Sequence, residues 1–206
     1  MRKAVLMLLS LIWLLVGCSS EKQSNAEIYE DEETCSCPHA TICLQPLGDF
    51  TQAEAKTLKR DLDKHLDHLL YGAFTVEVLP NKQLTASMLN ESKTRYFASK
   101  IIRSLQKDAD AHKIIVALTH KDISVARNGK NDWGVCGLSI PSSHTCVVST
   151  YRVKNAKRDF WKVTTHEFIH TFYHFPHCPK DNPACIMKDA KGHPNFAVQD
   201  TVCCIL

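Results

Sequence analysis

The segment His166-Glu167-Phe168-Ile169-His170, with a proline at 176, constrains this chain more than any other stretch. On an α-helix, residues four apart share a face and lie about 6 Å apart along the axis, so the two imidazoles can converge on one cation. A carboxylate directly after the first histidine is poorly placed to ligate the same ion. It is well placed to hold a water there and take its proton. Catalytic zinc takes three protein ligands and keeps one position open, so the fold must deliver a third ligand. The nearby candidates are His174 and His177. A continued helix would carry His174 about 12 Å along the axis from His166, too far to share an ion. Pro176 disfavours α geometry at Phe175, so the helix stops there and a turn can return His177 to the metal. The segment therefore reads as a zinc peptidase site, against the plainer reading of a solvated helix carrying surface histidines. Soft ligands in the stretch that follows, Cys178, Cys185, Cys203 and Cys204, favour the metal.

The ordered set His166-Glu167-x-x-His170, His177-Cys178, Cys185-x-Met187 and a late cysteine pair resembles the archaemetzincins, zinc metallopeptidases of the metzincin clan. The resemblance extends upstream through Leu44 to Gly48, Ile115 to Ile123, Gly134 to Gly137 and Cys146 to Ser149. It implies an α/β fold of metzincin type, with a mixed twisted sheet, packed helices, an active-site helix and a small irregular C-terminal subdomain. It also implies a catalytic Zn2+ on His166, His170 and His177, with Glu167 as general base and Met187 as a Met-turn beneath the metal. A second, structural zinc would fall on Cys178, Cys185, Cys203 and Cys204. The strand around Gly134 to Leu138 would be the sheet edge, where an extended peptide substrate adds by backbone hydrogen bonds. The chain departs from the family pattern in four places. Tyr173 stands where the family has glycine, the spacing to the third histidine is one residue longer, Cys178 and Cys185 are further apart, and Cys203 and Cys204 are adjacent. Neighbours on extended backbone point to opposite sides, so that adjacent pair needs an irregular turn to share an ion. Two other classes of function fit the same residues. One is a zinc- or peptide-binding lipoprotein without catalysis, and the other a module in which only the cysteines hold metal.

At the N-terminus, Arg2 and Lys3 precede an apolar run to Gly17, with the charge and length of an export signal over 1–17 rather than a membrane span. Leu15-Val16-Gly17-Cys18 looks like a bacterial lipobox, with Cys18 lipidated and residues 18–34 forming an acidic tether to a peptidase domain over 35–206. The expected location is an exported protein anchored to a bacterial membrane. Without Arg2 and Lys3 the 25 basic residues fall to 23 against 22 acidic ones, a net charge of +1. No basic stripe or aromatic-interleaved patch points to nucleic acid. Cys35, Cys37 and Cys43 are close enough to bind a metal, but one or two structural disulfides tying the tether to the first strand are the favoured reading.

The domain then alternates strand and helix. Thr41 to Leu47 is a first strand. Thr51-Gln52-Ala53-Glu54 is a capping box opening a helix whose apolar face is Leu58, Leu62, Leu66, Leu69 and Leu70, with His65 and His68 on its solvated side. Phe74, Val76 and Val78 alternate as a second strand, and Phe97, Ile101 and Leu105 mark a second helix. Ile114 to Leu118 has the unbroken apolar run of a central strand. Asp122 to Lys130 and Arg152 to Lys157 read as solvated loops. Trp133 to Leu138 and Thr145 to Ser149 read as a hairpin-like pair, with Cys136 and Cys146 either bridged by a disulfide, which an exported protein favours, or simply buried.

Overall fold

The computed structural model describes residues 38–153, 157–190, 196 and 198–202. The expected signal, the lipidation site Cys18, the tether, and Cys35, Cys37, Cys203 and Cys204 lie outside the described residues. Among those described, no helix is long and apolar enough to cross a membrane.

The first strand forms as β1 (His39–Pro46), followed by helix α1 (Gln52–Leu69) and β2 (Ala73–Val78). The capping box closes as its spacing predicts: Glu54 N donates to Thr51 Oγ1 at 3.2 Å and Thr51 N donates to Glu54 Oε2 at 2.9 Å. Helix α1 buries Leu58, Leu62 and Leu66. Each such leucine contributes about 2 kcal/mol of transfer free energy. His65 is not merely solvated, because its ring stacks on Trp161 with centroids 4.1 Å apart. After β2 come β3 (Tyr96–Phe97), α2 (Ala98–Leu105), β4 (Lys113–Thr119), β5 (Ile123–Arg127), β6 (Lys130–Val135), β7 (Gly137–Ile140), β8 (Thr145–Ser149) and α3 (Phe160–Phe172).

A mixed sheet in the order β2-β1-β4-β8-β7 organises the domain, parallel throughout except for antiparallel β7 at one edge. Successive side chains on a strand point to opposite faces, and the two cores follow that alternation. Ile42, Leu44, Ile114, Val116, Leu118 and Val148 pack with α1 and α3. Cys43, Ile115, Ala117 and Val147 pack with Ala98, Ile101, Ile102 and Leu105 of α2. Coverage on both faces is what the continuous run Ile114 to Leu118 requires.

Three expectations fail here. Asp122 to Lys130 is not a loop: it holds β5, a turn at Asn128 and Gly129, and the start of β6, in a small sheet of order β3-β5-β6. Asn128 and Gly129 both take left-handed backbone (φ 51 and 73), as a two-residue hairpin turn requires, and β5 runs from buried Ile123 and Ser124 out to exposed Ala126 and Arg127 beside it. Cys136 and Cys146 are unbridged thiols. The antiparallel register puts Cys146 opposite Ser139, whereas the Cys136 carbonyl accepts from Ser149 N. Three residues of strand separate the two by about 10 Å, beyond the reach of a disulfide. Cys43 ties down no tether, since it is a free thiol buried in the α2-side core.

Candidate active site

Helix α3 runs beneath β7 and β8 and buries Phe168 and Ile169 against the sheet, while His166 and Glu167 line a cleft of about 570 Å³. The helix ends at Phe172, with Tyr173 N donating to Ile169 O at 3.0 Å. The next residue, His174, carries φ 57 and reverses the chain. This accounts for both the missing glycine and the longer spacing: the left-handed position that ends the helix falls one residue later, on His174. Tyr173 remains helical and donates its hydroxyl proton to Tyr71 O, pinning the helix end to the α1–β2 turn. His174 is exposed and is not part of the histidine group.

The reversal brings His177 back over the helix. Side-chain nitrogens of His166, His170 and His177 lie within 4.8 Å of one another. Backbone carbonyls fix two of the rings. His166 Nδ1 donates to Ile186 O at 2.7 Å, and His170 Nδ1 donates to Phe175 O at 2.5 Å. Each Nδ1 holds its proton, so both Nε2 lone pairs face inward, 3.1 Å apart. Two lone pairs at that distance repel unless a cation sits between them, and tetrahedral zinc ligands lie about 3.3 Å from each other. Burial and then neighbouring His170 push the His166 imidazole down to about 3, and burial also lowers His170, so both rings are neutral, as metal ligands must be. The donor set fits zinc.

Met187 is fully buried. Its carbonyl accepts from Cys178 N at 2.8 Å, while the preceding carbonyl, that of Ile186, is the one that orients His166. The turn thus joins the third histidine's segment to the first histidine's ring. Cys178 and Cys185 are both buried in the same core. The remaining two cysteines of the expected second zinc, Cys203 and Cys204, lie outside the described residues.

Glu167 lines the cleft beside the histidines, and burial pushes its carboxyl up to about 8. It lies against Gly137 of the edge strand. A Cβ at that glycine would come within 2.5 Å of Glu167 Oε1, so β7 approaches the carboxylate as closely as a bare backbone can.

The opposite wall was illegible in the sequence. Asp122, just before β5, accepts from Arg95 Nε at 2.6 Å and from Arg152 Nε and Nη2 at 2.9 Å each. Arg95 also pairs with Asp132 on β6 at 2.8 Å. The Asp122 and then Asp132 carboxylates hold Arg95 above its ordinary range. Arg152, on the exposed turn after β8 that the sequence predicts, therefore also belongs to an ion-pair network that clamps the small sheet beside the cleft. The dipeptide Asn128-Gly129, with Ile123 and Val125 alternating before it and Trp133 and Val135 after it, was the sequence signal that could have exposed this wall.

No protein-family model matches the chain, and no curated protein does. Two solved structures are similar. The archaemetzincin of Archaeoglobus fulgidus, complexed with malonate, aligns with TM-score 0.55 and 23% identity over 78% of this chain and 92% of that one. The archaemetzincin of Methanopyrus kandleri aligns with TM-score 0.56 and 20% identity over 74% and 82%. The chain therefore has an archaemetzincin-like fold, an α/β domain with a mixed sheet and, among the described residues, three α-helices.

Proposed function

We propose that this chain is a zinc-dependent peptidase, with His166, His170 and His177 as metal ligands and Glu167 as general base. The observation that carries the proposal is the pair of carbonyl-anchored imidazoles whose Nε2 atoms converge beside a third histidine. Zinc held there would lower the pKa of a water towards about 7 and polarise a scissile carbonyl. Glu167 takes a proton from the attacking water and passes it to the leaving amine. Its burial raises its proton affinity towards neutrality, and a dication at the adjacent histidines would draw the carboxyl back down. Gly137 leaves the carboxylate room on the edge-strand side, and β7 presents the free backbone edge along which an extended peptide would lie.

The test is Glu167→Gln. The variant should keep its zinc and lose peptide hydrolysis by about 10²- to 10⁴-fold. Full activity in the variant overturns the mechanism. A parent that binds zinc and peptide but hydrolyses none of a broad peptide set is instead a binding protein.

A further inference from the structure

Six basic side chains line the cleft: Arg95, Arg127, Lys130, Arg152, Lys162 and Lys188. Four of them are paired with carboxylates of the chain itself. Arg95 and Arg152 share Asp122, with Asp132 also on Arg95; Lys162 meets Asp159, and Lys188 meets Asp181. Arg127 and Lys130 have no ion-pair partner among the described residues, and both are exposed. They stand directly opposite each other across the β5–β6 hairpin. Cross-strand partners share a face of the sheet, and like charges in that position destabilise it. Beside them Trp133 is 38% exposed, with Lys130 Nζ 5.4 Å from its ring centroid. The cleft's own carboxylates are Asp132, already held by Arg95, the buried Glu167, and Asp189.

We infer that Arg127 and Lys130 form a subsite for an acidic side chain of the bound peptide, with Trp133 packing beside it, so that the protein selects acidic peptides. The inference rests on the peptidase reading for the location of the peptide, but not for its turnover. A carboxylate between the two cations removes their mutual repulsion, and the Arg127 guanidinium fork suits a carboxylate. An anionic headgroup offers related chemistry. The pair, however, lines the cleft that also holds Glu167 and His166, where a peptide fits better than a membrane surface.

The experiment uses the full-length, zinc-loaded Glu167→Gln chain, which should bind peptides without cleaving them. Anisotropy would compare two labelled peptides that differ only in carrying glutamate or lysine at the same positions. At low salt the glutamate peptide should bind roughly fivefold tighter, and the difference should shrink at high salt. The preference should vanish in R127Q/K130Q and invert in R127E/K130E. An equal affinity for the two peptides, no binding of either, or a glutamate preference that survives R127E/K130E would each overturn the inference. So would an unchanged peptide ranking accompanied by lost binding to phosphatidylglycerol–phosphatidylcholine vesicles, which would assign the pair to lipid headgroups. Because binding is read without turnover, a parent that cleaves nothing refutes the peptidase reading alone.

Discussion

The two walls of the cleft are built by different physics. On the α3 side, the hydrogen bonds that orient His166 and His170 come, among the described residues, from the backbone carbonyls of Ile186 and Phe175. On the hairpin side, ion pairs between side chains join residues 95, 122, 132 and 152, and Asn90, Thr94 and the Asp132 carbonyl add hydrogen bonds to them. A carbonyl fixed by a turn has no rotamers to freeze, whereas a long arginine must be ordered and desolvated to serve as a clamp. The first wall suits a centre whose atoms must not move. The second leaves its residues more freedom to adjust.

The largest expected effect comes from breaking the first wall at its metal. His170→Ala should remove bound zinc and all peptidase activity, while the β5–β6 hairpin, which shares none of these contacts, stays folded. Zinc per chain and circular dichroism check this together. Next is Gly137→Ala, where the added methyl must displace Glu167 Oε1 from 2.5 Å. Zinc content should hold while kcat/KM falls by about 10²-fold, as for a misplacement of about 1 Å at a reacting group. An active Gly137→Ala enzyme would mean that the carboxylate's position matters less than its presence.

Asp122→Asn sharpens the contrast from the other side. Two arginines lose their shared counter-ion at a carboxylate 12% exposed, so the small sheet should loosen by about 1–3 kcal/mol. Faster hydrogen exchange confined to β5 and β6, with zinc content unchanged, is the expected readout. Exchange that also rises along α3 would show the walls to be coupled. The smallest effect is His174→Gly. Glycine accepts φ 57 without the Cβ penalty, so thermal stability should rise by about 0.5–1 kcal/mol. Loss of zinc in that variant would make His174 a ligand and refute the assignment of His177.

Local pattern carried far in this chain. The capping box at Thr51, the leucine face of α1, the apolar run of β4 and the paired histidines all concern residues within one or two helical turns or one strand, where covalent geometry already fixes who meets whom. Even the choice of His177 over His174 followed from helix rise and a proline. What failed was set by register and by distance in sequence. The Cys136–Cys146 disulfide was ruled out by an offset between β7 and β8 that the residues do not announce. The β5–β6 wall was hidden because its apolar alternation is short, with only Ile123 and Val125 on β5 and Trp133 and Val135 on β6 set among polar residues that read as a loop.

By itself, then, the sequence determined the alternating strands and helices and the helix that carries the candidate ligands, because these depend on periodicities of a few residues. Only the tertiary structure decided that the turn after the helix falls on His174, that β7 presses a glycine against Glu167, and that two cations with no ion-pair partner among the described residues line the cleft. Each of those depends on elements far apart in the chain, brought together by burying a common core and held by contacts with no local signature.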